Sequence, residues 1–321
     1  MTVHANMTIQ DRYQLQQFLG EGGFGQVWKA LDRTLDREVA VKFATAIAQD
    51  PKAANRFTAE ARKLARLHHR GIVTIHDAGT IDNDGALVPY LVMELLTGST
   101  WQTAPVDSVV ETGASLAEAL AHIHEKAIVH RDIKPANIMI CADGNAVLMD
   151  LGIAWDLSTA TTVTAGSFPG TPAYMAPEQL AGHPATAASD VYALGLVLVE
   201  RLTGRRGPAA QLPATDRRAV APHLLAVLNR MTALEPDERP TAAECHALLR
   251  KPTPSSIHAP GASPTKTAAH LRILPAGMSL ATTLERFGLP AALAVLLATT
   301  IESPLSEVIH YGYGFQIYLY L

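Results

Sequence analysis

A chain of 321 residues, 48% hydrophobic and 17% charged, has globular composition and room for about two domains. Its formal net charge of -4 excludes a nucleic-acid partner held by bulk basicity. Its two cysteines, Cys141 and Cys245, give neither a disulfide framework nor zinc spacing, which points to reduced thiols in a cytosolic protein.

The opening "MTVHANMTIQDRYQL" lacks the apolar core of a signal peptide, and residues 1–12 read as a short extension. From Tyr13 the segments "YQLQQFLG", "FGQVWKAL" and "REVAVKF" carry the β-branched and alternating pattern of strands. "PKAANRFTAEARKLARLHH" is helical, with Pro51 in the first turn and Phe57, Ala61, Leu64 and Leu67 on one face. "GIVTIHDAGTI" and "ALVPYLVMEL" return to strands. Helical periodicity then dominates, in "VVETGASLAEALAHIHEKA" and in "DVYALGLVLVERLTG", where Gly204 marks a C-terminus. A strand-rich part, about 13–96, thus precedes a helix-rich part, about 97–250. Residues 251–267, "KPTPSSIHAPGASPTKT", have linker composition, and 268–321 form a separate hydrophobic tail.

Three patterns in the first 250 residues carry chemistry. Gly20, Gly22 and Gly25 stand at G-x-G-x-x-G spacing in "LGEGGFGQVWKA", which lets backbone approach a phosphate. A dinucleotide site with this spacing joins a strand to a helix, but both flanks here read as strands, so the turn is a hairpin. In "EVAVKF", Val39 and Val41 share one strand face, Ala40 and Lys42 the other. An inward lysine needs a counter-charge, and Glu60 on the following helix either supplies it or stands, like Lys42, as a solvated surface charge. "HRDIKPAN", His130 to Asn137, sets two cations, a carboxylate and an amide between apolar runs, a combination suited to phosphate and a metal ion.

Taken together, "GEGGFGQV", "VAVK", Glu60, "HRDIKPAN", "DLG" at 150–152, "APE" at 176–178, "DVYALG" at 190–195 and Arg239 in "ERP" resemble, in order, the signature of the eukaryotic-type serine/threonine protein kinases, in their bacterial branch. The resemblance covers about 13–250 and implies an α+β, two-lobed kinase fold with a small β-rich lobe and a larger helical one. It implies Asp132 as catalytic base, Lys134 on the transferring phosphoryl group, and Lys42, paired with Glu60, on the nucleotide phosphates. Asn137 and Asp150 would hold Mg²⁺, a hard ion that takes oxygen ligands. ATP would lie among Leu19, Gly20, Gly22, Gly25, Val27, Ala40 and Met139, with Met93 as gatekeeper and Glu94 and Leu95 offering backbone groups to the adenine. Thr171 would tie the substrate-binding loop to Asp132 and Lys134; its other reading is a phosphosite. His130 is expected to be structural, packed beneath Leu151. Asp190 would brace the catalytic loop, and Glu178 and Arg239 would form a buried ion pair.

Lys134, two residues after Asp132, and "GTPAYMAPE" are similar to the serine/threonine branch, so the implied partners are ATP and proteins bearing Ser or Thr hydroxyls. Arg131 and the hydroxyls between 158 and 167, Thr162 and Thr164 foremost, imply autophosphorylation in trans through self-association. Two features depart from the usual pattern. "DLG" replaces "DFG", and "STWQTAPVDS" at 99–108 is short where a helix usually flanks the substrate cleft. The alternative reading is a pseudokinase scaffold that binds nucleotide; a small-molecule kinase is disfavoured by "GTPAYMAPE". In the tail, residues 287–301 are uncharged for 15 residues, about 22 Å of helix against a bilayer core of roughly 30 Å. That leaves either membrane association through the tail or docking of a small hydrophobic unit, with the kinase domain itself cytoplasmic.

Overall fold

The computed structural model describes residues 3–22, 25–48, 50–83, 86–104, 108–151 and 172–251. The chain divides into two compact units, Met1–Ser256 and Ile257–Leu321, and the second lies outside the described residues, as does the 287–301 segment.

The first part of the chain builds an antiparallel sheet from β1 (Thr8–Ile9), β2 (Tyr13–Gly22), β3 (Gly25–Asp32), β4 (Arg37–Phe43), β5 (Ile75–Asn83) and β6 (Ala86–Glu94). Their order across the sheet is β1-β2-β3-β4-β6-β5. Alternation does what the sequence expects of it. Val39 and Val41 pack into one apolar cluster with Leu15, Phe43 and Val92, while Ala40 turns to the other face. The extension contributes as well, since Ile9 of β1 is buried in that same cluster. Arg12, at its end, forms a bidentate pair with the fully buried Asp32 (2.8 and 2.7 Å). Hydrogen bonds from Arg12 and from nearby backbone hold the Asp32 carboxyl down at about 2.

Helix α1 spans Pro51–Leu64, capped by Asp50, whose side chain accepts from the backbone of Lys52 and Ala53. It stops five residues short of the predicted His69. Beyond Ala65 the chain turns, and His69 Nδ1 accepts the N–H of Gly71 (3.1 Å). The strand predicted from Gly71 begins only at Ile75. Residues 71–73 pair instead with Leu148 in the helical lobe: Val73 donates to Leu148 O (3.0 Å) and Leu148 to Gly71 O (2.9 Å). Periodicity cannot distinguish a strand from a lobe-crossing segment with the same apolar residues.

The helical lobe holds α2 (Val109–His124), α3 (Pro177–Leu180), α4 (Ala187–Thr203), α5 (Ala214–Ala219), α6 (Pro222–Met231) and α7 (Ala242–Leu249). A small sheet, β7 (Gly98–Thr100), β8 (Ile138–Cys141) and β9 (Ala146–Leu148), lies where the lobes meet. Helix α4 is apolar nearly all round, and Val191 to Val199 are all buried, so it forms the axis of this lobe. It ends at Gly204 in the left-handed conformation (φ 71°), as the sequence predicts. Arg239, its side chain 0% exposed, meets Glu178 through two hydrogen bonds (2.7 and 2.8 Å) and donates to three backbone carbonyls, which realises the expected buried pair. Burial opposes ionisation of Glu178, but hydrogen bonds from Arg239 and Ser189 more than offset it, and its pKa lies below the ordinary 4.5.

Candidate active site

The "HRDIKPAN" loop runs from α2 to β8, and one buried carboxylate on α4 fixes its backbone. Asp190 accepts the N–H of His130 (2.7 Å) and of Arg131 (2.8 Å), and His124 Nε2 lies 2.9 Å from it. Arg131 takes a positive φ of 70°, unusual for a side-chain-bearing residue, and Asp190 bonds to the two successive amides that lead into that turn. His130 is fully buried; desolvation lowers its pKa, against the opposing pull of Asp190 and Asp132, so it stays neutral near pH 7. That fits the structural part expected of it.

With the backbone held, the side chains converge. Lys134 Nζ meets Asp132 Oδ2 at 2.8 Å. Asn137 donates through Nδ2 to the same oxygen (2.7 Å) and to the Asp132 carbonyl (2.8 Å). Met149 donates to the Asn137 carbonyl (2.9 Å), which ties this loop to Asp150, itself at a positive φ of 54°. Asp132 therefore has two cationic or amide donors on one oxygen and is 15% exposed, poised to accept a hydrogen bond from a hydroxyl.

Across the cleft, strand register places Val27 opposite Lys42 and Ala40 opposite Met93, so these four share one sheet face. Ala40 and Met93 form an apolar cluster with Val73 and Val147, and Val27, Leu95, Leu96, Met139 and Cys141 pack against it. The cleft is thus walled from both lobes. Val73, Val147, Leu96 and Cys141 escaped the sequence reading; Val147, three residues before Asp150, was the most accessible to it. Burial raises the Cys141 thiol above its ordinary pKa.

The glycines divide in function. An added Cβ would meet nothing within 4 Å at Gly20 or Gly22, but at Gly25 (φ 139°) it would lie 1.9 Å from Phe43 O. The first two leave the hairpin face open, and the third lets β3 lie against the end of β4. The hairpin itself is observed, with Gly22 paired to Gly25. Leu19 is 46% exposed and outside the apolar cluster. Glu94 is partly committed elsewhere: its carboxylate accepts from Thr74 N (2.6 Å) and its own N–H donates to Thr74 O (2.9 Å). The Glu94 N–H is thus engaged within the lobe rather than facing the cleft.

One expectation is overturned. Lys42 does not pair with Glu60; its Nζ lies 2.7 Å from Asp150 Oδ1. Glu60 bonds instead to Lys63, one turn along α1 (2.8 Å). The ammonium, 17% exposed, does need a counter-charge, as the sequence argument held, but Asp150 supplies it. Glu60 sits on the half-exposed margin of α1, where an i,i+3 partner is local and needs no tertiary closure. Thr171, Gly152 and the hydroxyls of 158–167 lie outside the described residues.

Residues 13–249 match the protein kinase domain family. The chain belongs to that family. It is 40% identical over 220 residues to the serine/threonine-protein kinase PknA of Mycobacterium tuberculosis, covering 64% of this chain and 50% of that protein. It is 37% identical over 268 residues to the serine/threonine-protein kinase PknB of Mycobacterium leprae, covering 75% of this chain and 43% of that protein. The chain thus spans about half the length, or less, of these curated relatives. The solved kinase domain of Mycobacterium tuberculosis PknI superposes with a TM-score of 0.61 at 26% identity, over 77% of this chain and 98% of that one. The protein kinase fold, a sheet-rich lobe over a helical lobe, is therefore the fold of this chain.

The donor set fits a magnesium ion. Asn137 uses its amide nitrogen on Asp132, which leaves the amide oxygen without a protein partner among the described residues. Asp150 commits one carboxylate oxygen to Lys42. Among the described residues no three His, Cys, Asp or Glu cluster together, so an ion here would complete its shell with water and phosphate oxygens, as Mg²⁺ does.

Proposed function

We propose that this chain is a serine/threonine protein kinase that transfers the γ-phosphoryl group of ATP to protein Ser or Thr hydroxyls. The observation that carries the reading is the joined constellation of Asp132, Lys134 and Asn137, braced by Asp190 and tied through Met149 to the Asp150–Lys42 pair. The adenine lies between Val27 and Ala40 on one side and Met139 on the other, beside Met93. Lys42 and Lys134 offset the negative charge on the moving phosphoryl oxygens. Asp132 orients the substrate hydroxyl and takes its proton as the oxygen bonds to phosphorus, and ADP carries away the electrons of the broken P–O bond. Bound Mg²⁺, held by Asn137 and Asp150, supplies charge neutralisation on the phosphates.

The same reading makes residues 13–250 the catalytic domain, 251–267 a linker, and Thr162 and Thr164 sites of autophosphorylation between copies. It places the kinase domain in the cytoplasm and assigns the 287–301 segment a membrane or docking role. No helix of the described residues is long and apolar enough to cross a membrane. The test is the full chain with γ-labelled ATP and Mg²⁺ beside Asp132→Asn. Label on phosphoserine or phosphothreonine, reduced by on the order of a hundredfold or more in the variant, is expected. Nucleotide binding with no transfer by either protein, to itself or to peptides, would replace this reading with that of a scaffold.

A further inference from the structure

The turn that follows α1 lays a histidine ring against α2. His69, in the turn, and His122, on α2, stack with their ring centroids 5.1 Å apart and their planes 28° apart. The Gly71 N–H donates to His69 Nδ1 (3.1 Å), so that nitrogen is an acceptor, the ring proton sits on Nε2 and the ring is neutral. A Cβ added at Gly71 would lie 3.0 Å from the Ala119 Cβ, so the backbone of the turn rests directly on α2. His122 Nε2 is buried and has no hydrogen-bond partner among the described residues.

This turn holds one end of the candidate active site. Gly71 O accepts from Leu148 N (2.9 Å), and Val73 N donates to Leu148 O (3.0 Å). Leu148 closes β9 two residues before Asp150, and Val73 and Val147 wall the cleft. A proton arriving at His69 must go to Nδ1, because Nε2 already carries one. The acceptor then becomes an N–H facing the Gly71 N–H, and that hydrogen bond is lost. The charged and titratable groups facing the ring are His122 and Glu118 from α2 and Arg70 from its own turn, and Arg70 pairs with Glu118 (3.3 Å). Burial first, and His122 second, lower the His69 pKa; Glu118 opposes them, and Arg70 adds to the lowering. The turn is therefore intact at pH 7 and is challenged on acidification.

We propose that the His69–His122 stack is a proton-responsive joint, in which a proton taken by His69 releases Gly71, loosens residues 69–73 from Leu148 and weakens nucleotide binding beside Asp150. This rests on the protein-kinase reading above and adds to it a regulation of the same site by acid. Positive charge on His122 repels a proton from His69, so His122 sets the pH at which the joint gives way.

The experiment compares the full chain with two variants. His69→Asn keeps an acceptor, Oδ1, for the Gly71 N–H and does not titrate. His122→Phe keeps the stack and removes the like charge. Between pH 7.5 and 5.5 the readouts are the Kd of a fluorescent ATP analogue with Mg²⁺ and the kcat/KM for ATP in phosphoryl transfer. Comparing variant with wild type at each pH removes the contribution of the nucleotide's own protonation. Over that interval the wild type is expected to lose about twofold to tenfold more affinity than His69→Asn, the range for one hydrogen bond. In His122→Phe the loss should keep its size while its midpoint moves to higher pH. A purely structural role would change affinity by the same factor at every pH. Equal losses in wild type and His69→Asn, or a midpoint in His122→Phe that stays or falls, overturn the joint. Should His69→Asn fail to fold, seen in its melting at pH 7.5, the His122→Phe midpoint decides alone. Binding that follows the expected pattern without any phosphoryl transfer leaves the joint standing and overturns the kinase reading; transfer with equal acid losses does the reverse.

Discussion

Asp132 sits in a loop whose backbone donates twice to Asp190, a carboxylate only 1% exposed, while Lys42 across the cleft reaches Asp150 through a pair 17% and 36% exposed. The first arrangement is built into the core of the helical lobe: breaking it strands a buried charge. The second hangs between lobes on groups that water and other charges can serve, so its partner is exchangeable. The choice of Asp150 over Glu60 shows this, since the Lys42 ammonium, 17% exposed, takes whichever carboxylate the lobe positions present. Rigid parts of the site therefore belong to buried hydrogen bonds, and adjustable parts to a partly exposed ion pair.

The largest effect is expected where burial is deepest. Arg239→Met leaves Glu178 without its bidentate partner, and a loss of about 3–5 kcal/mol in unfolding free energy should appear in denaturant titration. A change below 1 kcal/mol would erase the distinction between buried and exposed pairs drawn here. Next comes the hairpin. Gly25→Ala puts a Cβ against the Phe43 carbonyl at a positive φ and should destabilise the sheet by about 1–3 kcal/mol. Gly22→Ala, with open space around it, should stay within about 0.5 kcal/mol yet raise the KM for ATP. Equal melting temperatures for the two variants would show that Gly25 is not under steric constraint.

pH separates the two kinds of group further. Burial lowers the pKa of His130, His69 and His76 below 6.5, so below that value the unfolded chain binds more protons than the folded one. Stability is then full above about pH 6.5 and falls as pH drops below it. Glu178 and Asp32, whose pKa values are depressed, add a second loss once pH falls below 4.5 and 3.8, their unfolded values. Denaturation midpoints at pH 7.5 and 5.5 should differ in that direction, and by less in His69→Gln. The smallest effect belongs to Glu60→Gln, which removes only a helix-surface pair and should change stability by about 0.5 kcal/mol or less. A much larger loss of thermal stability would mean that Glu60 spends its time at Lys42 after all.

Most of the site was legible in the chain because its chemistry is local. His130 to Asn137 places base, lysine and amide within eight residues, and strand alternation alone put Ala40 and Lys42 on one face. The core of α4, its Gly204 terminus and the Pro51 start of α1 follow from helical period and capping rules. What the sequence could not determine was long-range. That 71–73 pairs with Leu148, that Glu94 is bound to Thr74 and that Lys42 takes Asp150 are all outcomes of which elements meet. Local propensity and periodicity act over a few residues, so they are written in order along the chain. The partner of a charge is set by the distance and burial that packing imposes, and those quantities exist only once the lobes have assembled.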